Sequence, residues 1–202
     1  MPRACAALST VVLTAALAGC GEQRTQPPDP RVPVAPAGLK LERFPRAGVS
    51  FTQPVNWDLR RGRAPLVATV SSSRAVVSLW RYPRIEPLPS GHAELEQARM
   101  ALIAAARARD PSLALRQSTL SHLAGFDAIV LVGRETVGSE RREVISVHIF
   151  AYGAEVVFDA LVPFARVQSL ARTVFGPMLY SLRLTRPRGY LGPRAPGVGA
   201  TP

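Results

Sequence analysis

The chain is poor in the residues that carry most metal and cofactor chemistry. It has two cysteines and three histidines among 202 residues. His92, His122 and His148 show no paired ligand spacing such as H-x-x-x-H, so no metal site is expected. The motifs G-x-x-x-x-G-K-[S/T], G-x-G-x-x-G and G-x-S-x-G do not occur in the sequence either. The sequence therefore predicts a protein that holds no cofactor and is not an enzyme.

The apolar run at the N-terminus is too short to cross a bilayer as a helix. It extends from Ala6 to Leu17 after the positive charge of Arg3, and small residues lead from it to Cys20. This order is typical of a secretory signal peptide. The ending Leu17-Ala18-Gly19-Cys20 matches the lipobox of bacterial lipoproteins, in which a cysteine sulfur receives a diacylglycerol. We expect a signal peptide at residues 1–19 and an acylated Cys20, carrying fatty acids such as palmitate, on the extracytoplasmic face of the cell membrane. Two acyl chains make such an anchor stable; the alternative is an ordinary cleaved signal with a chance cysteine.

The two ends of the chain differ in composition from its middle. Cys5 would leave with the signal, so no disulfide is expected in the mature protein. Residues 20–38 contain five prolines and predict an extended tether that lifts the domain off the membrane. Residues 185–202 form a Pro/Gly/Arg tail for which disorder is predicted. A single domain at residues 39–184 remains between them.

The charge is strongly positive and comes almost entirely from arginine. The formal net charge is +11, and loss of Arg3 with the signal leaves 11 − 1 = +10. Because Lys40 is the only lysine and most arginines are scattered, codon bias explains this excess as well as selection for an anionic partner does. The excess is compatible with attraction to anionic envelope polymers. Nucleic acid is not expected as a partner, because no aromatic residues alternate with a basic stripe.

Hydrophobic periodicity predicts an α+β domain with an antiparallel sheet and two main helices. A short strand at Val49–Phe51 precedes a turn with Pro54 and Trp57. The remaining expected strands are Leu66–Ser71, Ala75–Tyr82, Leu113–Leu120, Ala124–Glu135, Arg142–Tyr152 and Glu155–Pro163. The expected helices are Ala93–Arg109 and Phe164–Phe175, the second broken or kinked by Gly176-Pro177 before an apolar segment, Met178–Leu184.

One hairpin has a pattern clear enough to predict a register. Glycine at the first position of Gly153-Ala154 suits a type II′ turn, which would place Tyr152 opposite Glu155. In that register every pair on one face is apolar, including Ile149 with Phe158. The other face is mixed and places His148 opposite Asp159. A helix or loop is expected to cover part of this mixed face.

Two motifs at opposite ends of the domain suggest a family. The first is Gly48-Val49-Ser50-Phe51 with Pro54 and Trp57; the second is Phe175 with Met178-Leu179-Tyr180-Ser181-Leu182. With the hairpin, helix and strands between them, the chain resembles the PsbP-like superfamily over about residues 39–184, and especially the actinobacterial envelope lipoproteins of the Lpq type. The resemblance implies an αβα sandwich and a largely non-catalytic role. No ligand site of the family can be transferred residue by residue.

Three residues on the mixed face invite a catalytic interpretation. Ser146, His148 and Asp159 resemble the components of a serine hydrolase. Ser146 lies in mid-strand, however, without a sharp turn or an oxyanion hole, and a serine two residues before the histidine is expected to lie too far away for proton transfer. A cross-strand polar pair is the simpler interpretation.

The prediction of function follows from these points. We expect a membrane-anchored, extracytoplasmic lipoprotein of the cell envelope that acts as a non-catalytic binding or accessory module. Its partner would be an envelope protein, a wall polymer or a lipid. A bound lipid or small molecule would lie against the apolar part of the mixed face, at Phe150, Val157 and Leu161. The alternative is an envelope serine hydrolase that uses Ser146, His148 and Asp159.

Overall fold

A computed structural model describes Asp29 and residues 31–188. Within these residues ten strands and one long helix form. The strands are β1 (Leu39–Phe44), β2 (Val49–Pro54), β3 (Asp58–Arg61), β4 (Leu66–Ser72), β5 (Ala75–Pro83), β6 (Ala114–Leu123), β7 (Phe126–Val137), β8 (Glu140–Ala151), β9 (Ala154–Pro163) and β10 (Arg183–Leu184). The long helix, α1, is Gly91–Arg109, and a second helical segment occupies residues 164–181.

The strands form two antiparallel sheets. Seven of them are ordered β3-β4-β5-β9-β8-β7-β6, and three are ordered β1-β2-β10. β8 and β9 lie at the centre of the larger sheet, where the alternating apolar residues of both strands are buried. The predicted α+β class is confirmed.

Each face of the larger sheet buries its own apolar cluster. On what we call the core face, Val147, Ile149 and Phe158 pack with residues of the smaller sheet and of the second helical segment, including Phe51 and Phe175. On the opposite side, called the helix-covered face, Leu95 and Ile103 of α1 pack with Ile129, Leu131 and Phe150. The helices therefore lie on both sides of the sheet, as an αβα sandwich requires.

The register predicted for the β8–β9 hairpin is wrong by two residues. Ala151 pairs with Ala154, and Tyr152 and Gly153 are the two turn residues. Both have positive φ values, 48° and 66°, which is the requirement of a type I′ turn. Because a shift by two residues preserves the side-chain alternation, every residue stays on its predicted face, and the apolar pattern could not reveal the error.

The second helical segment also differs from expectation. Gly176-Pro177 does not end it: a 3₁₀ turn, a short α-helix and a π-helical stretch, Ala171–Phe175, lead directly into the α-helix Gly176–Ser181. Pro177 lies in the first turn of that last helix, directly after the π-helical stretch. Met178, predicted within an apolar segment after the break, is thus helical and fully buried.

The segment that precedes β1 is hydrogen-bonded to the domain. The side chain of Asn56 accepts a hydrogen bond from the Ala37 N–H at 3.0 Å and donates one to the Ala35 carbonyl at 2.8 Å. The indole of Trp57 donates to the Val34 carbonyl, and the hydroxyl of Ser72 accepts from the Val34 N–H. The last five residues of the predicted tether therefore run along the domain.

At the other end, the chain continues from β10 beside the β1–β2 turn. The N–H of Thr185 donates to the carbonyl of Gly48, and the N–H of Arg188 donates to that of Pro45. The predicted signal peptide, Cys20 and most of the predicted tail lie outside the described residues. Among residues 31–188, no helix has the length and hydrophobicity needed to cross a membrane.

Candidate functional site

The polar residues singled out from the sequence meet on the helix-covered face. In the observed register Ser146 lies opposite Asp159, and His148 lies opposite Val157. Glu155 lies opposite Phe150, one diagonal step from His148. All of these side chains share one face because opposite residues of an antiparallel pair project to the same side. The sheet register, rather than any loop, thus positions the group.

The group forms a continuous hydrogen-bonded chain, which we call the polar chain. The Ser146 hydroxyl donates to Asp159 Oδ1 at 2.5 Å and lies 3.0 Å from His148 Nε2. His148 Nδ1 lies 2.7 Å from Glu155 Oε1. Arg84, in the loop before α1, donates from Nη1 to Glu155 Oε2 at 3.0 Å and closes the chain.

The order of these bonds sets the positions of the hydrogens. The hydroxyl of Ser146 has a single hydrogen, which it donates to Asp159. In its contact with Nε2 of His148, Oγ is therefore the acceptor. The carboxylate of Glu155 accepts from Nδ1 of the same imidazole.

The ionised state of Glu155 follows from its neighbours. Burial raises the pKa of its carboxyl, but the hydrogen bond from His148, the charge of His148 and the charge of Arg84 outweigh burial and hold the pKa below its ordinary value. The carboxylates also act on Tyr82 of β5: burial first, and then the charges of Asp159 and Glu155, raise the pKa of its hydroxyl, while Arg109 acts in the opposite direction. Glu155 is thus a buried carboxylate whose charge is compensated by His148 and by the more exposed Arg84.

Two details of the catalytic interpretation need correction. Ser146 is close enough to His148 for a hydrogen bond, contrary to the expectation from their i, i+2 spacing. The carboxylate that orients His148 is Glu155, which the sequence interpretation missed, and not Asp159. The signal that identifies Glu155 is the Tyr152-Gly153 turn, because only the type I′ register brings position 155 next to position 148.

The arrangement nevertheless offers little to a substrate. Ser146 is 8% exposed, and its hydroxyl is already engaged as both donor and acceptor. The Ser146 hydrogen points to Asp159 and not to Nε2 of His148, so the imidazole is not placed to accept it as a general base. β8 pairs with strands on both sides, so its backbone N–H groups serve the sheet and form no oxyanion hole. These features are those of a structural hydrogen-bond network.

The three predicted ligand-lining residues lie on the same face but differ in exposure. Phe150 is 7% exposed and belongs to the cluster under α1, and Val157 is 4% exposed between Trp80 and His148 on neighbouring strands. Leu161 is half-buried and lies opposite Val76 of β5. A small pocket of about 80 Å³ between α1 and the sheet includes Ser146 and His148 in its wall but none of these three.

The other two histidines do not belong to the polar chain. His92 is in the first turn of α1, and His122 is on β6, where Nδ1 lies 3.5 Å from Asp127 Oδ1. Among residues 31–188, no group of three or more His, Cys, Asp and Glu side chains is arranged to hold a metal ion.

Comparison with known proteins identifies the fold. No family model matches the chain, and no curated protein matches it. Among solved structures, cyanobacterial PsbP (CyanoP) from Synechocystis superposes with a TM-score of 0.58 at 14% identity, over 75% of this chain and 95% of that one. LpqN, described as involved in cell envelope biogenesis of Mycobacterium tuberculosis, superposes with a TM-score of 0.50 at 14% identity, over 76% of this chain and 90% of that one. The chain therefore has a PsbP-like fold that resembles that of an Lpq-type protein, as the sequence motifs at its two ends predicted.

Proposed function

We propose that this protein is a lipid-anchored, extracytoplasmic module of the bacterial cell envelope that binds a partner without catalysing a reaction. The observation that carries the proposal is the polar chain: in the constellation that resembles a catalytic site, the serine is buried and its hydrogen is directed to Asp159 and not to His148. The lipobox ending at Cys20 supports the anchor, and the shared fold with LpqN, an envelope biogenesis protein, supports the compartment.

The anchor is tested by labelling bacterial cells that express the full chain with an alkyne analogue of palmitate. We expect the wild type to be labelled and to sediment with membranes, and the Cys20→Ala variant to lose both properties. Cys5→Ala is the matched control, because its cysteine belongs to the signal peptide and its loss should leave labelling intact. An uncut, unlabelled wild-type chain in the cytosol would overturn the proposed location.

The proposed partner is an envelope protein, a wall polymer or a lipid. Cross-linking in intact cells, followed by mass spectrometry, compares the wild type with the unanchored Cys20→Ala chain. We expect envelope components to be captured by the anchored form. Cross-links formed only to cytosolic proteins would contradict an envelope role.

A serine hydrolase is the second candidate, because the distances along Ser146, His148 and Glu155 approach those of a catalytic triad. A fluorophosphonate probe distinguishes the two. The non-catalytic proposal predicts no labelling of the folded protein. Labelling that is lost in Ser146→Ala but kept in Ser121→Ala, a serine on β6, would establish the hydrolase instead.

A further inference from the structure

A second region of the molecule has the form of a ligand site. A cleft of about 1230 Å³ opens where the two sheets meet, between the β1–β2 turn, the β3–β4 loop and the chain after β10. The start of β4 and the end of β5 form its floor. Its volume is sufficient for a small amphiphilic molecule, since typical ligand sites occupy about 300–1,000 Å³.

The charge of this cleft is unbalanced. Its lining contains five arginines and no aspartate or glutamate, and we call it the arginine cleft; the arginines are Arg46, Arg61, Arg63, Arg81 and Arg188. Basic residues make up 25 of the 202 positions, about one in eight, so five among fifteen lining residues is a local concentration rather than the average of an arginine-rich chain. Codon bias alone does not explain such clustering.

Two of the five guanidinium groups are held in place by the fold. Arg61 lies 4.5 Å from the centre of the Phe44 ring and pairs with Glu42 at 3.4 Å, and Arg81 donates from Nη2 to the Tyr152 carbonyl at 3.0 Å. The other three, Arg46, Arg63 and Arg188, are exposed and form no ion pair with any residue between 31 and 188. These three line the cleft and are accessible to an anion from solvent.

The walls between the arginines are apolar. Phe44 and Val67 are buried residues whose surfaces reach the cleft, and Leu66 is half-buried. Four prolines complete the apolar wall: Pro45, Pro65, Pro83 and Pro187. A small inorganic anion would leave these surfaces exposed to water, whereas a ligand with a hydrocarbon part would cover them and gain about 25 cal/mol per Å².

We propose that the arginine cleft binds one molecule of an anionic amphiphile, a phosphate headgroup with an attached acyl chain. The guanidinium groups match phosphate oxygens in geometry and charge, and the apolar wall accepts the first part of the chain. This deepens the proposed function and rests on it for the compartment in which such a lipid would be met.

The position of the tether favours a single lipid molecule over the surface of the anchoring bilayer. The tether reaches the domain at Ser72, the last residue of β4, whereas the cleft contains Leu66, the first. Leu66 and Ser72 are the two ends of this seven-residue strand, and at roughly 3.3 Å per residue step they lie about 20 Å apart. The cleft therefore lies at the end of the sheet opposite to the point where the anchored segment arrives.

The test is calorimetric titration of the full chain as the Cys20→Ala variant, so that no attached lipid competes. The probes are dodecyl phosphate, inorganic phosphate and dodecyl maltoside, each below its critical micelle concentration. We expect one dodecyl phosphate per chain, with inorganic phosphate and the neutral detergent each at least tenfold weaker. Absence of dodecyl phosphate binding, or equal affinity for inorganic phosphate, would overturn the proposal.

The site is located by removing two of the exposed arginines in the same background. Arg63→Gln with Arg188→Gln is expected to weaken dodecyl phosphate binding at least tenfold. The matched control is Arg116→Gln with Arg172→Gln, exposed arginines elsewhere that lower the net charge equally. Equal weakening by both pairs would show that only net charge matters and would refute the cleft as the site. None of these outcomes affects palmitate labelling, so this proposal and the anchor can fail separately.

Discussion

The polar chain and the arginine cleft both contain charged residues but differ in how that charge is compensated. In the polar chain, Glu155 is held between His148 and Arg84, and Asp159 accepts from Ser146. In the cleft, Arg46, Arg63 and Arg188 have no ion-pair partner among residues 31–188. The comparison teaches that residue types alone do not identify a functional site. A serine, a histidine and an acid can have a structural role when their hydrogen-bonding groups are engaged with one another.

Because the two regions differ in this way, we expect the polar chain to affect stability and the arginine cleft to affect binding. Buried hydrogen-bonded charges are costly to disturb, because removal of one partner leaves the others without compensation. Exposed arginines contribute little to folding and remain available to a ligand. We therefore expect substitutions in the polar chain to change the free energy of unfolding, and substitutions in the cleft to change affinity.

The largest expected effect is that of Glu155→Ala. It removes the acceptor of both His148 and Arg84, and we expect the free energy of unfolding to fall by about 3 kcal/mol, as for other broken buried ion pairs. Urea denaturation followed by circular dichroism measures this. The control is Glu96→Ala, which removes a partly exposed surface pair with Arg99 and should cost less than about 1 kcal/mol. Equal losses in the two variants would contradict a buried structural role.

A smaller effect is expected from acid. Because the pKa of Glu155 is lower in the folded state than its ordinary value of 4.5, its contribution to stability is fully present above pH 4.5. It is lost as the pH falls below 4.5 and through the lower folded pKa, since the unfolded chain takes up the proton first. Thermal melts between pH 3 and 7 should therefore show a weaker acid dependence for Glu155→Gln than for the wild type. Parallel pH profiles would show that Glu155 is not held ionised by its neighbours.

The smallest expected effect on stability belongs to the cleft. Arg63→Gln with Arg188→Gln should change the free energy of unfolding by less than about 0.5 kcal/mol, since exposed side chains without partners contribute little. The same urea titration checks this. A loss of unfolding free energy comparable to that of Glu155→Ala would mean that these arginines stabilise the fold and are not free to bind a ligand.

The sequence predicted the fold better than the site. Alternation in β8 and β9 placed Ser146, His148, Phe150 and Asp159 on the correct face, and the terminal motifs identified the PsbP-like sandwich. β1 and β3 were missed, because exposed residues such as Lys40 and Arg60 interrupt their apolar pattern. The β8–β9 register was missed because Tyr-Gly is an unusual type I′ turn and a two-residue shift leaves the hydrophobic pattern unchanged.

The arginine cleft was beyond sequence reasoning for a different reason. Its arginines come from the β1–β2 turn, the end of β3 and its following loop, β5, and the segment after β10, so more than 140 residues of chain separate Arg46 from Arg188. In the sequence these residues are scattered among other arginines. Only the meeting of the two sheets brings them together, and that placement depends on the whole topology.

The most direct test of this account measures both properties in both regions. Ser146→Ala and the pair Arg63→Gln with Arg188→Gln are each assayed for unfolding free energy and for dodecyl phosphate affinity. The account predicts that Ser146→Ala lowers the free energy of unfolding by about 1–2 kcal/mol and leaves the affinity for dodecyl phosphate unchanged. The arginine pair is expected to leave the free energy of unfolding unchanged and to lower that affinity at least tenfold. If Ser146→Ala abolished binding and the arginine pair did not, the ligand site would lie on the helix-covered face and the account would be wrong.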